Sequence, residues 1–229
     1  MIDAERLARL AERAADEVAD GMIVGLGSGS TAEAVIRALA RRIASGLRIT
    51  GVPTSARTER LARELGIPLT TLDDVDRINL GIDGADEIDP RLNLTKGRGG
   101  ALLYEKLVAL ACDRFIVVAA SEKLVERLGT RVPLPVEVVP FGWKQTAARL
   151  AALGCPGALR CNPDGSTFMS DGGHAILDCQ IEPRTDAPAL AAAIKSITGV
   201  VEHGLFIGLA ERALVVDPEG NVRALTPVR

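Results

Sequence analysis

The residues of this 229-residue chain that could do chemistry gather in three short stretches. The densest is Asp83-Gly84-Ala85-Asp86-Glu87-Ile88-Asp89, directly after the apolar run Leu80-Gly81-Ile82. Carboxylates crowded this closely repel one another unless they are solvated, hydrogen-bonded or matched to cations. A solvated acidic turn, a paired acid–base site and a magnesium site, whose ion prefers carboxylate oxygen, all meet that demand. The second stretch is Lys96-Gly97-Arg98-Gly99-Gly100, followed by a helical segment carrying Tyr104-Glu105-Lys106. Its glycines can bend successive amides into an anion-cradling nest, to which Lys96 adds a fixed charge. Taken alone, Glu105 reads equally well as an exposed helix acid paired with a neighbouring lysine.

The third stretch is Gly25-Leu26-Gly27-Ser28-Gly29-Ser30-Thr31, between an apolar run and a helix. Glycines let the backbone approach a ligand, and amides at a helix start point outward at an anion. Ser30 and Thr31 add hydroxyls. A dinucleotide loop requires G-x-G-x-x-G and an acid ending the second strand. Here the glycines are spaced G-x-G-x-G, and the second strand runs Ile49-Thr50-Gly51-Val52-Pro53 without an acid. A nucleoside-triphosphate loop requires Gly-Lys-Ser/Thr, and the turn holds no lysine. A monophosphate fits, in competition with a plain strand-to-helix turn capped by a hydroxyl.

The elements that must position these stretches alternate. Apolar positions at Leu7, Leu10, Ala14, Ala15 and Val18 predict a helix over 3–20, ended by Gly21. Strands are expected at 22–26, 48–52, 78–82 and 115–120, and helices at 31–44, 55–65 (capped by Ser55) and 100–111. Strands apolar throughout and alternating with helices predict a doubly wound, mostly parallel α/β sheet, Rossmann-like, with ligands beyond the strands' carboxyl ends. On this reading all three stretches follow strands of one sheet. After residue 130 the texture changes. Pro133, Pro135 and Pro140 flank a short strand at 136–139, and a helix is expected at 143–153. Strands at 167–170 and 175–180 flank Asp171-Gly172-Gly173, and a helix at 187–196 ends at Gly199. This order predicts a smaller α+β (ferredoxin-like) domain over 130–203, with 1–129 and 204–229 forming the Rossmann-like catalytic domain. Tail strands at 205–209 and 213–217 are expected to rejoin the first sheet.

The stretches GLGSGSTA (25–32), DGADEID (83–89), KGRGGALLYEK (96–106), SEKLVERLG (121–129) and PLPVEVVPFGW (133–143) resemble type A ribose-5-phosphate isomerase in order and spacing. The resemblance implies an aldose–ketose isomerase working through an enediolate in the non-oxidative pentose phosphate pathway, without metal or coenzyme, as a homodimer or homotetramer. It implies Glu105 as catalytic base, Lys96 as active-site lysine, and Asp83 and Asp86 as paired aspartates that open the ring and hold sugar hydroxyls. It assigns substrate binding to Ser28, Gly29, Ser30 and Thr31, to Gly84 and Ala85, to Gly97, Arg98 and Gly99, and to Lys123. Arg98 stands where many members have glycine, and Leu7 where many have a phosphate-holding lysine. A coenzyme A transferase with a glutamate nucleophile and a sugar-phosphate deaminase are rival enzymes. A non-catalytic sensor would need neither Glu105 nor Lys96.

Composition excludes other classes. A formal charge of −3 supplies no basic footprint for nucleic acid. No apolar run reaches the ~18–20 residues of a membrane span, and the acid-rich start lacks a signal-peptide core. The chain is expected in the cytoplasm, with Cys112, Cys155, Cys161 and Cys179 as thiols, since none forms a CxxC pair. His174 and His203 fall outside the motifs and are expected in turns or at the surface. Trp143 is expected to pack between the domains.

Overall fold

The computed structural model describes residues 2–183 and 186–228. In chain order, α1 (Ala4–Ala15), β1 (Ile23–Leu26), α2 (Ser30–Ala44), β2 (Thr50–Pro53), α3 (Ala56–Glu64) and β3 (Ile78–Gly84) build one half of a layered domain. Two short strands, β4 (Glu87–Ile88) and β5 (Leu94–Thr95), precede α4 (Leu102–Ala111) and β6 (Cys112–Ala120). A second unit follows: β7 (Leu134–Val138), α5 (Trp143–Ala152), β8 (Gly157–Leu159), β9 (Ala175–Cys179), α6 (Ala187–Lys195) and β10 (Val200–His203). The chain closes with β11 (Leu205–Phe206), β12 (Arg212–Val216) and β13 (Val222–Leu225).

The main sheet runs β13-β12-β6-β3-β1-β2. Neighbours from β2 to β12 pair in parallel, and β13 returns antiparallel to β12. Counting only its parallel strands, the order is the flavodoxin-like variant of the doubly wound fold. Its switch point lies between β1 and β3, where neighbouring connections leave toward opposite faces and open a crevice. One face packs under α1 and α2 through Leu10, Ala14, Leu39, Leu80 and Leu214. The other buries Phe115, Val117, Phe206 and Val215. Local signals agree with this. Asp3 accepts the amide of Arg6 at the start of α1, and Ser55 that of Thr58 at the start of α3, each satisfying a helix-end donor.

The second unit has the β-α-β-β-α-β order and an antiparallel sheet β10-β7-β9-β8, the ferredoxin-like arrangement. Its core joins Val136, Val138, Leu150, Leu177 and Ile194. Trp143 packs against this core.

Several elements differ from expectation. Residues 167–170 make only isolated bridges, and Gly157–Leu159 takes the strand position beside β9. Pro135 lies inside β7 and accepts the amide of Gly204, just past the end of β10. Its donor-less nitrogen, pointing the same way, therefore costs no ladder bond. Most consequential for the site, β11 pairs with β5, not with the main sheet, in a small antiparallel sheet β11-β5-β4. The Lys96 turn follows β5, so it reaches the crevice from this separate sheet.

Candidate active site

The turn after β1 begins with Gly27, whose amide bonds the Ile82 carbonyl (3.0 Å). A Cβ there would lie 2.6 Å from Asp83 Cα and closer still to its carboxylate. Only glycine lets the turn lie against β3. Ser28 is used structurally: its amide donates to Asp83 Oδ1 (3.0 Å). Its hydroxyl meets Thr54, Ser55 and Thr58 hydroxyls at 2.8, 2.8 and 3.1 Å. The amides of Gly29, Ser30 and Thr31 and the last two hydroxyls find no protein acceptor among the described residues. They are the open donors at the start of α2, where a phosphate is best held.

The acidic stretch separates into distinct duties. Glu87 is fully buried and accepts the amides of Gly129 (2.7 Å) and Arg131 (2.5 Å). Asp89 closes its own turn on the amides of Arg91 and Asn93. Asp86 is half-buried and accepts the Arg98 amide (3.2 Å). Asp83 is buried, with Oδ1 taking the amides of Ser28 and Gly84 (3.0 and 2.7 Å).

Lys96 Nζ lies 3.0 Å from Asp83 Oδ2 and 3.3 Å from Glu105 Oε2, and donates to the Gly84 carbonyl at 2.8 Å. Asp83, Lys96 and Glu105 are 2%, 3% and 5% exposed, so these charges interact with little screening. Burial raises the Glu105 pKa to about 7 against the lowering effect of Lys96, with Asp83 adding to the rise. Burial also raises Asp83, again opposed by Lys96. For Lys96 burial works downward, but the Asp83 and Glu105 carboxylates outweigh it and raise the pKa. The lysine stays charged while Glu105 is poised near neutrality, where a carboxylate is a competent base.

In the Lys96 turn, Gly97 has φ 95°, a left-handed conformation suited to glycine. The Gly100 amide returns to the Gly97 carbonyl and the Arg98 amide goes to Asp86, leaving Gly97 and Gly99 as open amides among the described residues. A cavity of about 180 Å³ is lined by Ser28–Thr31, Gly84–Asp86, Lys96–Gly99, Glu105 and Lys123. Every sequence-predicted site residue lines it except Asp83. Asp83, 2% exposed, is in ion-pair contact with Lys96 and is not among the lining residues.

Sequence reasoning missed the supports of this cavity. Arg160, beyond β8, pairs with Asp178 and donates to the Arg98 carbonyl (3.0 Å), bracing the glycine turn from the second domain. Lys106 donates to the carbonyls of His203 (2.6 Å) and Leu205 (2.9 Å) and to Glu202 (2.8 Å). His203, expected at the surface, is buried there. Burial, then Lys106, lowers its pKa to about 4. Arg6 forks onto Glu122 (3.0 and 3.1 Å), the residue before Lys123, and lowers the Glu122 pKa to about 2. No signal in the sequence linked these distant partners, although Ser55 was visible as a cap. The first helix contributes no lining residue; Leu7 is half-buried.

Fold and site together are those of an α/β acid–base enzyme built at the switch point of a parallel sheet. Residues 50–220 match the family model of ribose 5-phosphate isomerase A (phosphoriboisomerase A). A relative from Roseiflexus castenholzii named ribose-5-phosphate isomerase A is 55% identical over 221 residues, covering 96% of this chain and 94% of its own. The ribose 5-phosphate isomerase of Plasmodium falciparum superimposes with a TM-score of 0.93 at 38% identity, covering 98% of this chain and all of its own (100%). A D-ribose-5-phosphate isomerase in complex with phospho-erythronic acid superimposes with a TM-score of 0.95 at 36% identity, covering 99% and 100%. The chain belongs to the ribose-5-phosphate isomerase A family.

Proposed function

We propose that this protein interconverts D-ribose 5-phosphate and D-ribulose 5-phosphate through an enediolate. The observation that carries the reading is Glu105, buried 3.3 Å from the Lys96 ammonium and lining one cavity with the open amides of α2. In the aldose direction Glu105 takes the proton from C2, the electron pair forms the C1–C2 double bond, and the aldehyde oxygen becomes an enediolate oxygen. Lys96 and the amides of Gly97 and Gly99 stabilise that oxygen as charge develops. The same carboxyl returns the proton to C1, the O2 proton passes to the O1 oxyanion, and C2 becomes the ketone. The Gly29–Thr31 amides, with Lys123, hold the phosphate, and this remote binding positions the reacting carbons. Asp86 holds sugar hydroxyls.

Phospho-erythronic acid, bound by the relative above, supports this. Its planar carboxylate and remote phosphate resemble an enediolate with its anchor. The reading calls for no metal or coenzyme. It places the protein in the non-oxidative pentose phosphate pathway of the cytoplasm. It also makes the protein a homodimer or homotetramer, in keeping with the exposed Leu107, Leu110 and Phe141. Light scattering after gel filtration measures that assembly.

The test is to add ribose 5-phosphate with a chelator present and follow ketopentose formation. The wild type is expected to turn over. Glu105→Gln is expected to stay folded and lose more than the ~10²–10³-fold typical of one oxyanion donor. Near-normal turnover by that variant would refute Glu105 as the base.

A further inference from the structure

Asp83 lies one residue before the end of β3 at the switch point, with Oδ1 hydrogen-bonded and the buried Oδ2 in ion-pair contact only. Oδ1 accepts two amides, one from the phosphate turn and one from its own. Oδ2 faces the Lys96 ammonium at 3.0 Å. The residue is 2% exposed and absent from the cavity wall, and the missing side chain of Gly27 is what lets the turn close over it. A group that moves a proton on the sugar must come within ~2.6–3.2 Å of it, directly or through one water. Asp83 instead touches the two parts that do line the cavity: Ser28 of the phosphate turn, and Lys96.

We propose that Asp83 is a positioning residue that fixes the Lys96 ammonium beside Glu105 and ties the phosphate turn to β3, exchanging no proton with the sugar. The inference rests on the isomerase reading and deepens it, because it removes Asp83 from ring opening. That step passes to Asp86, the other carboxylate on the cavity wall. Its carboxylate takes the proton of the anomeric O1 hydroxyl, the C1–O4 bond breaks as C1=O1 forms, and the same proton is delivered to O4.

Geometry and substrate chemistry give a test. Ribulose 5-phosphate cannot close a furanose, because its O5 carries the phosphate. The ketose-to-aldose direction therefore requires no ring opening. Asp83→Asn keeps an oxygen for the two amides and removes only the charge that holds Lys96. It is expected to lower kcat by about 10²–10³-fold, the scale of a lost oxyanion donor, by similar factors in both directions and with little change in KM. A residue acting only through Lys96 adds nothing once Lys96 is gone. The double variant Asp83→Asn/Lys96→Met is thus expected to match Lys96→Met in kcat to within about threefold, the tolerance of such cycles. It also deletes both members of a buried ion pair, which protects folding should Asp83→Asn alone fail to fold. Two outcomes overturn the proposal while leaving the isomerase reading intact. One is Asp83→Asn that keeps the ketose-to-aldose rate but loses the reverse. The other is a double variant tenfold or more slower than Lys96→Met. A wild-type protein that leaves ribose 5-phosphate unchanged overturns both readings.

Discussion

Replacing Glu105 with glutamine should stabilise this protein as the pH rises, while it abolishes turnover. The carboxyl has a pKa near the ordinary 4.5 when the chain is unfolded and about 7 when folded, because burial disfavours its charge. Below 4.5 it is protonated in both states and contributes nothing. Between 4.5 and 7 the folded protein binds a proton that the unfolded chain has released, so stability falls as pH rises through that window. The rise to about 7 corresponds to about 3 kcal/mol at ~1.36 kcal/mol per pH unit. Glutamine carries no such proton. Urea unfolding at pH 4.5, 6 and 8 should therefore show Glu105→Gln gaining on the wild type by roughly 3 kcal/mol across the series, most of it before pH 7. On the proposed mechanism the same ionisation sets the rate: kcat/KM should fall about tenfold per pH unit below 7, since only ionised Glu105 can take the C2 proton. A stability difference that is constant from pH 4.5 to 8, together with a rate that is flat down to pH 5, would refute the buried-base argument.

Other parts of the site respond in distinguishable ways. Gly27→Ala forces a Cβ to within 2.6 Å of Asp83 Cα. It should cost on the order of 1–3 kcal/mol in thermal melts through overpacking and lower kcat/KM as the turn shifts. Lys106→Met leaves the buried carbonyls of His203 and Leu205 without their donor. It should lose roughly 1–3 kcal/mol per abandoned group in urea titrations. Arg160→Ala releases the Arg98 carbonyl and should raise KM more than it lowers kcat, which steady-state kinetics will separate.

The α/β alternation, the site's three stretches and the Ser55 cap were legible in the sequence because each is local. Helices of nine to fifteen residues display their period, and apolar parallel strands stand out against polar turns. The short β4, β5, β8 and β11 carry too few residues to show any period, so the small sheet that delivers Lys96 stayed hidden. Pro135 masked the start of β7, because its lost donor is harmless only in the presence of a neighbouring strand's end. The four acids of 83–89 look alike in sequence. Only the fold shows that Glu87 and Asp89 serve backbone amides while Asp86 faces the cavity. Likewise His203 and Arg160 gain their roles from partners about a hundred and about sixty residues away.

Glu105 and Lys106 are neighbours on α4, yet one looks into the cavity and the other is locked into the passage between the domains at 202–205. The proposed base thus shares a single rigid rod with the bolt that fastens the smaller sheet. That sheet cannot be exchanged as a self-contained cassette: a chimera cut at residue 203 would sever the bolt and release the base. A graft intended to keep catalysis has to carry the Glu202–Leu205 segment that matches its own Lys106.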